Sequence, residues 1–147
     1  MSIKRIGALV AGAETGSIYL PVSSLAVTKD TLMMADRSNN VLVKATSAAA
    51  TTNSLWLARE TVANTATQIK VEPVLATELY EVDCTNNTAT TQILERMVLT
   101  DEATINNTDT DSAVNEGIFE ALYVKGAVSD KKLVGRFLIL GQDADVS

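Results

Sequence analysis

Ile118-Phe119-Glu120-Ala121-Leu122-Tyr123-Val124 and Lys132-Leu133-Val134-Gly135-Arg136-Phe137-Leu138-Ile139-Leu140 make the strongest long-strand pair of the chain, with Gly126-Ala127-Val128-Ser129-Asp130-Lys131 between them. Runs rich in β-branched and aromatic residues that flank a Gly- and Asp-bearing turn read as a long hairpin. Working back from that pair, short apolar runs alternate with polar turn clusters at intervals of roughly ten residues, the spacing of a small sandwich or barrel.

Thr31-Leu32-Met33-Met34-Ala35 and Val41-Leu42-Val43-Lys44-Ala45 flank Asp36-Arg37-Ser38-Asn39-Asn40 and make an earlier hairpin, because Asp and Asn tolerate left-handed backbone and mimic turn hydrogen bonds. Ile18-Tyr19-Leu20 stops at Pro21, and Ser54 to Glu60 is a further run. In Gln68-Ile69-Lys70-Val71-Glu72 the alternation sets Ile69 and Val71 against Lys70 and Glu72, and Pro73 marks an edge, a bulge or the strand's end. Glu78 to Cys84 alternates too, with Tyr80, Val82 and Cys84 inward and Glu81 and Asp83 outward. Thr46 to Asn53 reads as a loop or one short helix, and Gln92 to Thr100 suits either a helical face or an irregular strand. Asn106 to Ser112 is a long polar loop, and Asp143 to Ser147 a short acidic tail. The fold expected is all-β, a small antiparallel β-barrel or sandwich, with an extended N-terminal arm over residues 1–15 and a single barrel domain over 16–147.

The 147 residues are enough for a core that buries roughly two thirds of the unfolded surface. With 46% hydrophobic but only 4% aromatic residues, that core consists mainly of small aliphatics, and an oligomeric or docked state would add to its stability. The absence of His removes the commonest general base and metal ligand, and a lone Cys84 excludes an internal disulfide framework and a thiolate zinc cage. No apolar run has the ~18 residues of a membrane helix. A net charge of -6 repels nucleic acid, and Lys4-Arg5 is the one basic cluster that stands out.

No G-x-S-x-G is present to organise a nucleophile, and Lys and Ser are scattered over turns and outward strand positions. Glu78 with Glu81, or Asp109 with Asp111, could in principle sit at glycosidase-like separations, but most of the aromatics that would line a sugar cleft fall on strand runs. Asp109-Thr110-Asp111-Ser112 opens like a calcium loop and then fails at Ala113 and Val114, where a ligand and a turning Gly are needed. Asn86-Asn87-Thr88 and Asn106-Asn107-Thr108 match the glycosylation sequon and otherwise read as turns. No enzyme activity, cofactor, metal or small-molecule substrate is expected from these patterns.

The N-terminal segment has the outline of a secretory signal, but its apolar stretch is broken by Gly7 and Gly12. It reads as an arm. Ile3, Ile6, Leu9 and Val10 carry apolar side chains without enough length for a core, and Lys4 and Arg5 suit pairing with an acidic surface. These six residues are the candidate contacts of a clamp; the alternative is a disordered start.

The order of segments resembles that of the small β-barrel head decoration, or cement, proteins of tailed bacteriophages. The likeness is carried by the arm, the Leu32 to Val43 hairpin and the Ala/Thr-rich stretch into Leu55-Trp56-Leu57-Ala58. It continues through Ile69 to Pro73, Tyr80-Glu81-Val82 and the closing hairpin to Phe137, and the polar loop Asn106 to Ser112 departs from it. The resemblance implies a protein made in the host cytoplasm that joins the exterior of the virion capsid, often as a homotrimer. There it would bridge major capsid subunits, without contact to nucleic acid or membrane. A tail or baseplate barrel and a small ligand-binding barrel are the alternative expectations.

Overall fold

The computed structural model describes residues 2–8, 16–49, 53–108 and 117–138. Strand β1 spans Ile3–Ala8. It is followed by β2 (Ile18–Pro21), β3 (Leu32–Asp36), β4 (Val41–Lys44), β5 (Leu55–Ala58) and β6 (Gln68–Pro73). Then come β7 (Glu78–Cys84), β8 (Arg96–Asp101), β9 (Thr104–Asn106), β10 (Phe119–Lys125) and β11 (Lys132–Phe137). The only helical geometry among the described residues is two short 3-10 turns, Thr90–Gln92 and Val128–Asp130.

Strands β7, β11, β10, β8 and β9 close into a five-stranded barrel, because β7 pairs with β11 on one side and with β9 on the other. Closure abolishes the free edges that a small open sheet would present to other chains. The closing contact, Asp83 opposite Thr104 and Cys84 opposite Ile105, is the one parallel ladder among the described strands, in a fold that is otherwise antiparallel as expected. Because β9 takes only the C-terminal end of β7, the same edge remains open further back, and β1 fills it from Ile3 opposite Val82 to Ala8 opposite Glu78. The N-terminal segment expected to lie outside the core is therefore a strand of the barrel sheet over residues 3–8. An apolar residue at position 3, in register with buried Val82, is worth more inside than on a partner.

The second sheet runs β2-β6-β5-β3-β4, antiparallel throughout, and curls until β2 and β4 approach one another without sharing a ladder. Its β3–β4 turn forms as expected: Asp36 Oδ1 accepts from the backbone N–H groups of Ser38 and Asn39, and Asn40 turns through φ 57. One face contributes Leu32, Leu55 and Leu57 to the cluster that also holds Tyr80, Phe119 and Phe137 of the barrel. The other face buries Met33, Ala58, Ile69 and Val71 under Val22 and Val27. Burial on both faces explains Glu72. It alternates against Ile69 and Val71 as expected, but its face points to the main core, in register with Leu57, so it is buried while Lys70 is exposed.

The segment Gln92 to Thr100 resolves as strand from Arg96, with Met97 and Leu99 inward. Leu94 is held in left-handed backbone at φ 69 with its N–H on Ala121 O at 2.7 Å, and it stands 68% exposed. The segment 46–49 is a turn closed by Ala49 N–H on Thr46 O. Asn107 is buried and ties the two Asn-rich turns together, donating from Nδ2 to Asn86 O and Asn87 O. Residues 109–116, which include the calcium-loop-like stretch, and the acidic tail lie outside the described residues.

At the barrel's centre Phe137 meets Tyr80 and Phe119 edge-on, each at 5.2 Å between ring centroids. Such pairs add about 1 kcal/mol beyond area burial. Gly135 makes room for them: a Cβ there would overlap the Glu120 carbonyl oxygen and lie 2.7 Å from Phe119 Cζ. Gly135→Ala is expected to cost about 3 kcal/mol in urea unfolding. A loss below about 0.5 kcal/mol would contradict this packing.

Candidate interaction surface

The six residues singled out in the N-terminal segment separate once the strand forms. Ile3 is fully buried in the main core. Lys4 points out to solvent, opposite Glu81. Arg5 turns inward, where its Nε and one terminal nitrogen each lie 2.8 Å from Glu78 Oε2. Ile6 falls at the β-bulge between Arg5 and Gly7, is unpaired and stays 43% exposed. Leu9 and Val10 lie outside the described residues.

The Arg5–Glu78 pair is the anchor of β1. Glu78 is fully buried because it shares the inward phase of Tyr80, Val82 and Cys84, and its second oxygen, Oε1, has no hydrogen-bond partner among the described residues. The hydrogen bond to Glu78 holds the Arg5 guanidinium charged above its ordinary range, against a burial that works the other way, and Glu72 adds a further favourable field. Arg59 approaches both Glu72 and Asp30 at 3.7 Å, so the junction between the sheets carries alternating charges rather than one isolated ion. The phase of β7 was the available signal in the sequence: a carboxylate in step with three inward residues requires a cation, and Arg5 supplies it.

Glu78 and Glu81, weighed together as a carboxylate pair, point to opposite faces of β7. Glu81 lies outside with Lys132, which also bonds Asp83 at 2.7 Å. Burial works against ionisation of Asp83, but hydrogen bonds from Lys132 and the Ser2 N–H outweigh it and hold its carboxyl below the usual range. Burial pushes the Cys84 thiol up to about 12, so it behaves as a small apolar side chain at neutral pH. The Tyr80 phenol is likewise raised by burial, its oxygen accepting from the Leu75 N–H. Among the described residues no three Cys, Asp and Glu are grouped to hold a metal ion.

Apolar side chains reach solvent in few places. Ile18 and Tyr19 are 48% and 56% exposed on β2, an edge strand whose other side pairs with β6. Beside it, where β2 and β4 approach, a groove of about 260 Å³ is lined by Leu20, Pro21, Val41, Leu42 and Trp56, with Arg37 among its walls. The Trp56 indole donates to Ser54 Oγ at 2.8 Å, which fixes the ring against the groove. The barrel exposes Leu94, Tyr123 and Val128. Set against family models, curated proteins and solved structures, the chain gives no match in any of the three comparisons.

Arg5→Ala leaves the Glu78 carboxylate buried without its partner and is expected to cost about 3 kcal/mol in urea unfolding. The double variant Arg5→Met/Glu78→Gln recovers part of that loss. Single and double variants that unfold together with the wild type would show that the pair does not anchor β1.

Proposed function

We propose that this chain is a structural virion protein that attaches to the outer surface of an assembled tailed-phage capsid and bridges neighbouring major capsid subunits. It acts as a homotrimer, without turnover, cofactor, nucleic acid or membrane. The order of segments supports the reading through its likeness to head decoration proteins. The structural observation that carries it is the edge strand β2, where Ile18 and Tyr19 stand half in solvent beside an unpaired ladder edge. A free strand edge with apolar side chains is a docking feature, because a partner can add to the sheet there. Ile6, lifted out of the ladder by the β1 bulge, adds a second apolar point.

Each such side chain contributes at most about 1.5 to 3 kcal/mol when buried on a partner. A trimer multiplies those contacts without requiring any one to be strong, because the second and third engagements occur at high effective concentration. The bulky fold supplies rigidity, and the edges supply grip.

The test is attachment to capsids that lack the protein. Wild-type protein added to such capsids is expected to co-sediment with them and to raise the temperature at which they rupture. Ile18→Asp/Tyr19→Asp should fold normally and lose both effects. Capsids that neither bind the wild type nor gain heat resistance from it would overturn the reading, and antibody labelling confined to the tail would favour a tail or baseplate barrel.

A further inference from the structure

We infer that the outer wall of the barrel around Leu94 and Tyr123 is the face through which copies of this chain join, with Leu94 of each copy packing on Tyr123 of the next around a threefold axis. This deepens the reading above and rests on its homotrimer.

The two side chains come together because of the path between β7 and β8. Strand β10 pairs with β8 only at Phe119 and Glu120, so from Ala121 onward that edge of β10 has no strand beside it. The segment after β7 runs along it instead. Thr88 N–H bonds Val128 O past the far end of β10, and the 3-10 turn Thr90–Gln92 lies beside the strand. Leu94 N–H then reaches Ala121 O, while Glu95 O accepts from the Ala121 N–H. Leu94 is therefore fixed at Ala121, two residues from Tyr123 along β10. It is 68% exposed and Tyr123 is 45% exposed.

The β-bulge between Ala121 and Tyr123 turns Tyr123 to the outer wall, in register with Val134 of β11, which is itself in register with outward Glu81. Val134 is fully buried at that outward position, so the wall is apolar there. On either side of Val134, Lys132 bonds Asp83 at 2.7 Å and Arg136 bonds Glu120 at 3.0 Å. An apolar centre inside a polar rim is the anatomy of a protein contact. Leu94 belongs to neither core cluster, and its left-handed backbone, φ 69, suits glycine better than a bulky residue. A surface that covers Leu94 gives this side chain the burial that its own fold does not.

Charge selects a second copy as the partner. All 12 Lys and Arg lie among the described residues, whereas six of the 18 acids do not: Glu14, Asp109, Asp111, Glu116, Asp143 and Asp145. The described fold is therefore neutral, and its copies can approach without the repulsion that a net charge of -6 spread over the surface would impose. The face is also complementary to itself. Glu95 is exposed beside Leu94, and Lys125 is exposed two residues beyond Tyr123 on the same side of β10. Lys132, opposite Lys125, takes Glu81 and Asp83, and neither Lys125 nor Glu95 makes an ion pair among the described residues. Setting the Leu94 end of one copy on the Tyr123 end of the next brings Glu95 toward Lys125, three times in a closed ring.

Sedimentation velocity of the isolated protein, read beside its attachment to capsids lacking it, tests the face. The wild type is expected to sediment as a trimer. Leu94→Gly/Tyr123→Ser should keep the circular dichroism spectrum and associate at least about tenfold more weakly. Glu95→Lys should weaken the trimer at low salt, and Lys125→Glu in the same chain should restore it. Ile18→Asp/Tyr19→Asp, on the other sheet, should stay trimeric. When Leu94→Cys protein is mixed with Tyr123→Cys protein and oxidised, disulfide-linked pairs of the two chains should form, since Cys84 is buried. A wild type that is monomeric or dimeric, a Leu94→Gly/Tyr123→Ser variant that stays trimeric, or an absence of mixed cross-links overturns the face. Attachment of a monomeric wild type to capsids overturns the face alone. A trimer that the variant loses, in a protein that never attaches to capsids, supports the face and overturns the capsid reading.

Discussion

Everything in this fold depends on one apolar cluster that two sheets share. Leu32, Leu55 and Leu57 of the second sheet pack into the same core as Tyr80, Phe119 and Phe137 of the barrel. With so few aromatic residues in the chain, half of them are spent at that junction, where Phe137 touches both others edge-on. A narrow barrel leaves no slack for them, and Gly135 is the position at which the backbone itself gives way. The second sheet then needs a separate cover for its far face, which Val22 and Val27 provide.

The placement of β1 follows from the same economy of surface. A five-stranded ring closes with a partner strand, β9, that is too short for β7, and the unpaired stretch of β7 would otherwise leave N–H and C=O groups without partners. β1 satisfies them, buries Ile3 and neutralises Glu78 with Arg5. What the ladders and the core leave outside includes the bulged Ile6 and the edge of β2.

Much of this was legible in the sequence. The alternation of Gln68 to Glu72 and Glu78 to Cys84, the Asp36 to Asn40 turn and the closing hairpin are local patterns, and local patterns fix elements. Pairing is not local. The parallel contact of β7 with β9 joins residues about twenty apart that carry no mutual signal, and the curl of the second sheet depends on a face whose partner lies elsewhere in the chain. Glu72 reads as a surface carboxylate until the packing of both sheet faces is known, whereas the phase of β7 already sets Glu78 in step with Tyr80, Val82 and Cys84. The left-handed Leu94 has no composition signal at all, since its backbone is set by the bond to Ala121.

The central claim is that a closed, rigid β fold works here by gripping other proteins. An electron cryo-microscopy map of purified particles tests it most directly. The account predicts barrel-shaped density on the capsid exterior, with the edge of β2 directed at the shell. Density for the fold confined to the tail, or none on the particle, would contradict it.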